Sequence, residues 1–223
     1  MDNLKEKGKT MKRGIISIMF AMFILCLWCV PVKATLITIE IEGVVDSVRD
    51  TGNQLGGKIK TGDTITGTYT YNLLTPDSEP SAWVGVYEHH NPPAGISVNV
   101  GDFTFLTNPD NVDFIVEILN DYPPSLKDQF WMRSYNNISL PSGISVGIAW
   151  WFDYLTDTFS TDALPATAPV LENLEWNIFR IGEMRIFGIS GHITSATLIP
   201  EPTTFFFVGF GALILRRKTL TKK

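Results

Sequence analysis

Residues 35–199 predict an all-β domain, an antiparallel sandwich or jelly roll, on three observations. Apolar and polar residues alternate at period 2 along much of the segment. No apolar repeat at helical spacing runs longer than about two turns. Gly, Pro, Asn and Asp punctuate the alternating runs at short intervals. In the first run Ile37, Ile39 and Ile41 alternate with Thr38, Glu40 and Glu42, which gives a half-buried strand with a wet face. Turn-rich stretches at 50–57 and 61–63 follow. The next strand sets Ile65, Tyr69 and Tyr71 against a row of threonines, and Gly67 within it marks a bulge or a close approach. Further strands are expected at 84–88, 95–100, 102–106, 112–119, 128–135, 144–153 and 183–198, with Val100-Gly101-Asp102 as a tight hairpin connection. The stretch 161–177 is the one candidate for a short helix, limited by Pro165 and Pro169. No internal repeat is evident, so one domain is expected.

Charge narrows the function. Residues 35–199 hold 7 of the 18 basic and 20 of the 23 acidic side chains, a net charge of −13. An electrostatic nucleic-acid binder is excluded, because it needs a basic face to displace counterions from phosphates. Both cysteines, Cys26 and Cys29, lie before this segment, which excludes a disulfide scaffold or a cysteine metal site.

The ends have their own logic. Lys12 and Arg13 precede the uncharged run 14–30, and Pro31-Val32-Lys33-Ala34 closes it. That is the order of a secretory signal over residues 1–34, with Val32 and Ala34 as the small residues at −3 and −1 and Thr35 as the first mature residue. The competing reading is a retained N-terminal anchor. Leu25 and Trp28 stand where a lipoprotein signal needs a small residue before its cysteine, so acylation is rejected. Translation starts at Met1 or at Met11. At the other end, Pro200-Glu201-Pro202 precedes thirteen uncharged residues, 203–215, and then Arg216, Arg217 and Lys218. Thirteen helical residues rise only about 20 Å against about 30 Å of hydrocarbon, short for a permanent anchor. The basic clusters at both ends favour the same side of a membrane and leave 35–199 on the other.

This tail resembles the PEP-CTERM sorting signal, which exosortases recognise: the Pro-Glu-Pro motif, an apolar helix with Gly209 and Gly211 near its middle, and an arginine cluster. It departs from that pattern in being Phe-rich and in the residues that trail the arginines. The resemblance implies export through the Sec machinery and signal peptidase, trimming by an exosortase-like membrane enzyme, and delivery to the cell surface or an exopolysaccharide matrix. The domain also resembles ectodomains of PEP-CTERM proteins in Gly56-Gly57, in Gly62-Asp63-Thr64-Ile65-Thr66-Gly67-Thr68-Tyr69-Thr70-Tyr71, in the 108–114 segment and in Gly191-His192-Ile193-Thr194. That likeness implies no activity.

Chemistry-bearing clusters are sparse. Asn108, Asp110, Asn111 and Asp113 offer hard oxygens of the kind calcium takes, with Asn108, Asp110 and Asp113 the weak candidates, yet the same residues make a good turn. His89 and His90 point to opposite faces if extended, and exposed loop histidines are the simpler reading. Glu40/Glu42 and Glu172/Glu175 are the nearest carboxylate pairs, but the first pair faces water. Gly188-Ile189-Ser190-Gly191 lacks the spacing of a nucleophile elbow. Of the aromatic residues at 150–154, Trp150 and Trp151 are candidate glycan contacts, since one of two neighbours on a strand faces outward. The expectation is therefore a non-catalytic surface or matrix protein without cofactor, with a secreted carbohydrate-binding or carbohydrate-active module as the alternative.

Overall fold

A computed structural model describes residues 35–122, 127–140, 143–155, 158–183 and 187–200. Ten strands form in chain order: β1 (Leu36–Asp50), β2 (Thr64–Asn72), β3 (Val84–His89), β4 (Gly95–Val100), β5 (Phe103–Leu106), β6 (Phe114–Tyr122), β7 (Lys127–Ser134), β8 (Gly147–Tyr154), β9 (Leu174–Glu183) and β10 (Phe187–Ile199). All pair antiparallel in one sheet of order β3-β6-β7-β8-β9-β10-β1-β2-β4-β5. The all-β class stands. The expectation of two face-to-face sheets is corrected, because a single sheet curls until its halves face each other. Tyr69 on β2 lies 5.8 Å from the Trp150 ring on β8 and 6.4 Å from Phe130 on β7, although three and four strands intervene. Register shifts at Glu42/Gly43 and Val45/Ser47 in the central β1 supply bends of the kind that curl a sheet.

The core lies inside the curl and is aromatic. Ile39, Ile41, Tyr69, Phe114, Trp150 and Phe152 are all fully buried, and stacked or edge-on rings run from Phe130 through Phe152 to Tyr154 and Phe159. Aromatic pairs of this geometry add about 0.5–1.5 kcal/mol each beyond area burial. Gly67 proves to be a close approach rather than a bulge. A Cβ there would lie 2.2 Å from the Ser97 carbonyl oxygen of β4. Gly101, at φ 57°, makes the expected tight turn between β4 and β5.

The seam between the edge strands β3 and β5 is managed locally. The Ser78 N–H donates to Val86 O at 2.9 Å and the Val86 N–H to Asp77 Oδ1 at 2.8 Å, which covers the free side of β3. The Ile96 N–H donates to Thr107 Oγ1 (2.9 Å), Thr107 Oγ1 meets Ser134 Oγ (2.8 Å), and the Ser134 hydroxyl donates to Asn137 Oδ1 (2.7 Å). This buried chain ties the end of β5 to the end of β7.

Residues 161–177 correct the helix expectation. They hold a 3-10 turn at Leu171–Asn173 and the start of β9, and no α-helix occurs among the described residues. Pro165 and Pro169 leave too short a run to nucleate one. Instead the strap 158–170 closes the mouth of the curled sheet, with the Tyr71 hydroxyl donating to Pro165 O (2.6 Å) and the Tyr87 hydroxyl to Asp162 O (2.9 Å). The strand expected at 183–198 is in fact β10 plus the last residue of β9. Among the described residues no helix is long and apolar enough to cross a membrane. The apolar segments 14–30 and 203–215 lie outside them, as do Ala34, Glu201, Pro202, Arg216, Arg217 and Lys218. Thr35 and Pro200 are the first and last residues described.

Candidate functional site

The two adjacent tryptophans part company on β8. Trp150 is 0% exposed and its Nε1–H donates to Asn177 Oδ1 at 2.9 Å, so it serves the core and is corrected as a glycan contact. Trp151 points outward, half-buried, directly opposite Trp131 of β7. The period-2 alternation of both strands puts Trp131, Arg133, Ala149, Trp151 and Asp153 on one outer face.

Each tryptophan carries an arginine. The Arg133 guanidinium lies 5.1 Å from the Trp131 ring and that of Arg180, on β9, lies 4.8 Å from the Trp151 ring. Arg133 is also ion-paired with Glu117 of β6 and donates to the Tyr135 hydroxyl at 3.1 Å. Trp131 Nε1 and Arg133 Nε are buried without a hydrogen-bond partner. Beside the tryptophans, Asp153 has its pKa raised by burial, with Glu175 adding to the rise and Lys127 and Gln129 opposing it. Lys127 is ion-paired with Glu175, which occupies the one member of the Glu172/Glu175 pair that approaches this face.

Alongside this platform runs an open groove of about 820 Å³ across the outer face of β7, β8, β9, β10 and β1. Its floor is short of side chains because Gly147, Gly182 and Gly188 stand opposite one another on three successive strands. Its rim carries Arg49, Arg133, Arg180, Trp151 and Tyr135. The Trp131/Arg133 pairing was readable, since i and i+2 on a strand share a face. Arg49 and Arg180 had no such signal, for they arrive from strands far apart in sequence.

The other candidates are found in turns, backbone hydrogen bonds, ion pairs or on the open surface. Asn108 Oδ1 accepts from the Asp110 N–H at 3.1 Å, and the Asn111 N–H returns to Asn108 O at 3.2 Å, an Asx-type turn. The Asp113 carbonyl accepts from the Tyr135 N–H at 3.0 Å. Among the described residues no trio of His, Cys, Asp or Glu is placed to hold a metal ion. His89 is buried rather than exposed: its Nε2 accepts from the Asn72 N–H at 3.1 Å, which leaves Nδ1–H to donate to Tyr87 O at 3.1 Å. Burial lowers its pKa, against opposing backbone hydrogen bonds. His90 pairs with Glu88 (3.5 Å) and His192 with Asp46 (2.9 Å), so the three histidines do not converge. Glu40 and Glu42 are exposed on β1.

A second cavity of about 320 Å³ lies under the strap, lined by Tyr69, Phe130, Phe152, Tyr154 and the strap itself. Burial raises the pKa of Tyr69, and that of Tyr154 to about 12 with Asp128 adding to the rise, so both hydroxyls stay protonated at neutral pH. This is a packing space under a lid of strap residues. No protein-family description, curated protein or solved structure matches the chain, so its functional reading rests on its own residues.

Proposed function

We propose that the chain is an exported, non-catalytic surface or matrix protein, delivered by a cleaved N-terminal signal and trimmed at Pro200-Glu201-Pro202 by an exosortase-like membrane enzyme. One observation supports this reading most. The first and last strands, β1 and β10, are neighbours in the middle of the sheet, and Thr38 stands opposite Ile199. The chain therefore enters and leaves the domain at the same end of one ladder, an arrangement compatible with a signal ahead of the domain and a sorting tail behind it. The glycan module is the second reading, favoured by the outward Trp151.

The test of the export reading is Glu201→Ala in a host that makes the enzyme. Glu201 lies outside the apolar run, so its charge contributes little to insertion. Lying between Pro200 and Pro202 in the sequence, its carboxylate is the polar group such an enzyme would read. Loss of trimming with membrane insertion intact is the expected result, read from the mass and location of the protein. Normal trimming and release of the variant overturns the sorting reading and leaves a short tail anchor.

A further inference from the structure

We infer that the outer groove across β7, β8, β9, β10 and β1 binds an acidic polysaccharide through the carboxylates of its sugars. The inference deepens the second reading above, that of a glycan-binding module, and is independent of the export route.

Charge is the first argument. Residues 35–199 carry −13 overall, yet all three arginines among the described residues, Arg49, Arg133 and Arg180, line this one groove, where Glu183 is the one acidic lining residue and Glu117 beside it is paired with Arg133. A basic groove on an acidic surface selects an anion locally while the rest of the domain repels it, which favours a ligand seated in the groove over diffuse binding. Arg180 is the strongest recognition group. It is exposed, has no acidic partner among the described residues, and stacks over Trp151. Stacking fixes the guanidinium plane and leaves its N–H fork free for a bidentate carboxylate.

Shape and topology choose the occupant. The Tyr135 ring at the rim is 49% exposed and suits a stacked sugar, beside the Arg180 guanidinium that covers Trp151. Five neighbouring strands span about 19 Å at the usual strand spacing, enough for a short run of linked rings. An acidic peptide cannot add here as a strand. The groove crosses only interior strands, whose backbone groups are already paired, and the edges where a peptide strand adds are β3 and β5. Gly182 is held to glycine by the backbone beside it, but at Gly188 the floor is open by choice of residue, since a Cβ there would meet nothing within 4 Å. Finally, the groove sits where Arg49 stands opposite Gly188, about 35 Å along the ladder from the Thr38–Ile199 end.

The test is isothermal titration of the full chain in detergent micelles with polygalacturonate, its fully methyl-esterified form and polyglutamate. Polygalacturonate is expected to bind, and the uncharged ester and the polypeptide at least about tenfold more weakly. Arg180→Gln removes the free fork and Gly188→Phe fills the floor; each is expected to weaken polygalacturonate binding about tenfold or more while thermal unfolding is unchanged. Equal binding of polyglutamate, or polygalacturonate binding untouched by Arg180→Gln, overturns the inference. Equal binding of the ester overturns the acidic ligand but keeps the glycan module. No binding of either polysaccharide overturns both.

Discussion

Asp128 is fully buried on β7, and its carboxylate accepts from several backbone N–H groups. Oδ1 accepts the Asp121 N–H at 3.1 Å, and Oδ2 accepts the Phe159 N–H at 2.6 Å together with that of Thr158. One side chain thus joins the β6–β7 hairpin to the strap that closes the curled sheet. Removing it takes the partner from three partly buried backbone donors at once, where a fully buried orphan costs about 1–3 kcal/mol. Asp128→Ala is expected to lower stability by about 3 kcal/mol or more, read as a fall in the urea midpoint. An unchanged midpoint would show that the strap does not depend on this carboxylate. The residue is polar within an alternating strand, Lys127 to Ser134, where sequence pattern alone assigns its position to the buried face without saying what satisfies it.

At the scale of elements, strand pairing here is controlled by a few backbone approaches. Gly67 of β2 pairs with Val98 of β4, and its missing side chain lets the two backbones meet. Alanine in its place would press on the Ser97 carbonyl and Val98 Cα, both backbone atoms that cannot swing aside. Overpacking of this kind costs about 1–3 kcal/mol. Gly67→Ala is therefore expected to lower the melting temperature by several degrees and to raise hydrogen exchange in β4 and β5, which hang on this pairing at the sheet edge. Loss of stability without any change in exchange at β4 would place the strain elsewhere.

For the whole molecule, the tyrosines report how well the curl is closed. Burial raises the pKa of Tyr69 and Tyr71, and that of Tyr87 and Tyr154 to about 12. For Tyr87, Asp77 and Asp162 add to the rise. A phenol whose folded pKa lies above its unfolded value of about 10 contributes stability that is complete below that pH. The contribution is lost as pH climbs from about 10 through about 12, because the unfolded chain releases its protons first. Alkaline unfolding is expected in that window, with tyrosinate absorbance and loss of β circular dichroism rising together. Tyrosinate appearing well before unfolding would mean that the strap opens without the sheet.

What the sequence determined by itself was the strand inventory apart from β9. Alternation at Ile37–Ile41, Ile65–Tyr71 and 128–135 is a local property, since it states which face each residue turns to the core. It also forecast that one of Trp150 and Trp151 would face out. β9 escaped because the large apolar residues Trp176 and Ile178 sit on its outer face, so that apolar side chains fall on both faces and the alternation is lost. Only the tertiary structure decided which strands become neighbours. β3 pairs with β6 at one edge while β4 joins β2 near the other, and β1 takes the centre. Such pairings join residues distant in the chain, and period-2 alternation reads the same whichever strand lies beside it. The groove has the same origin. Arg49, Arg133 and Arg180 come from three strands, and no spacing along the chain brings them together; the register of five strands does.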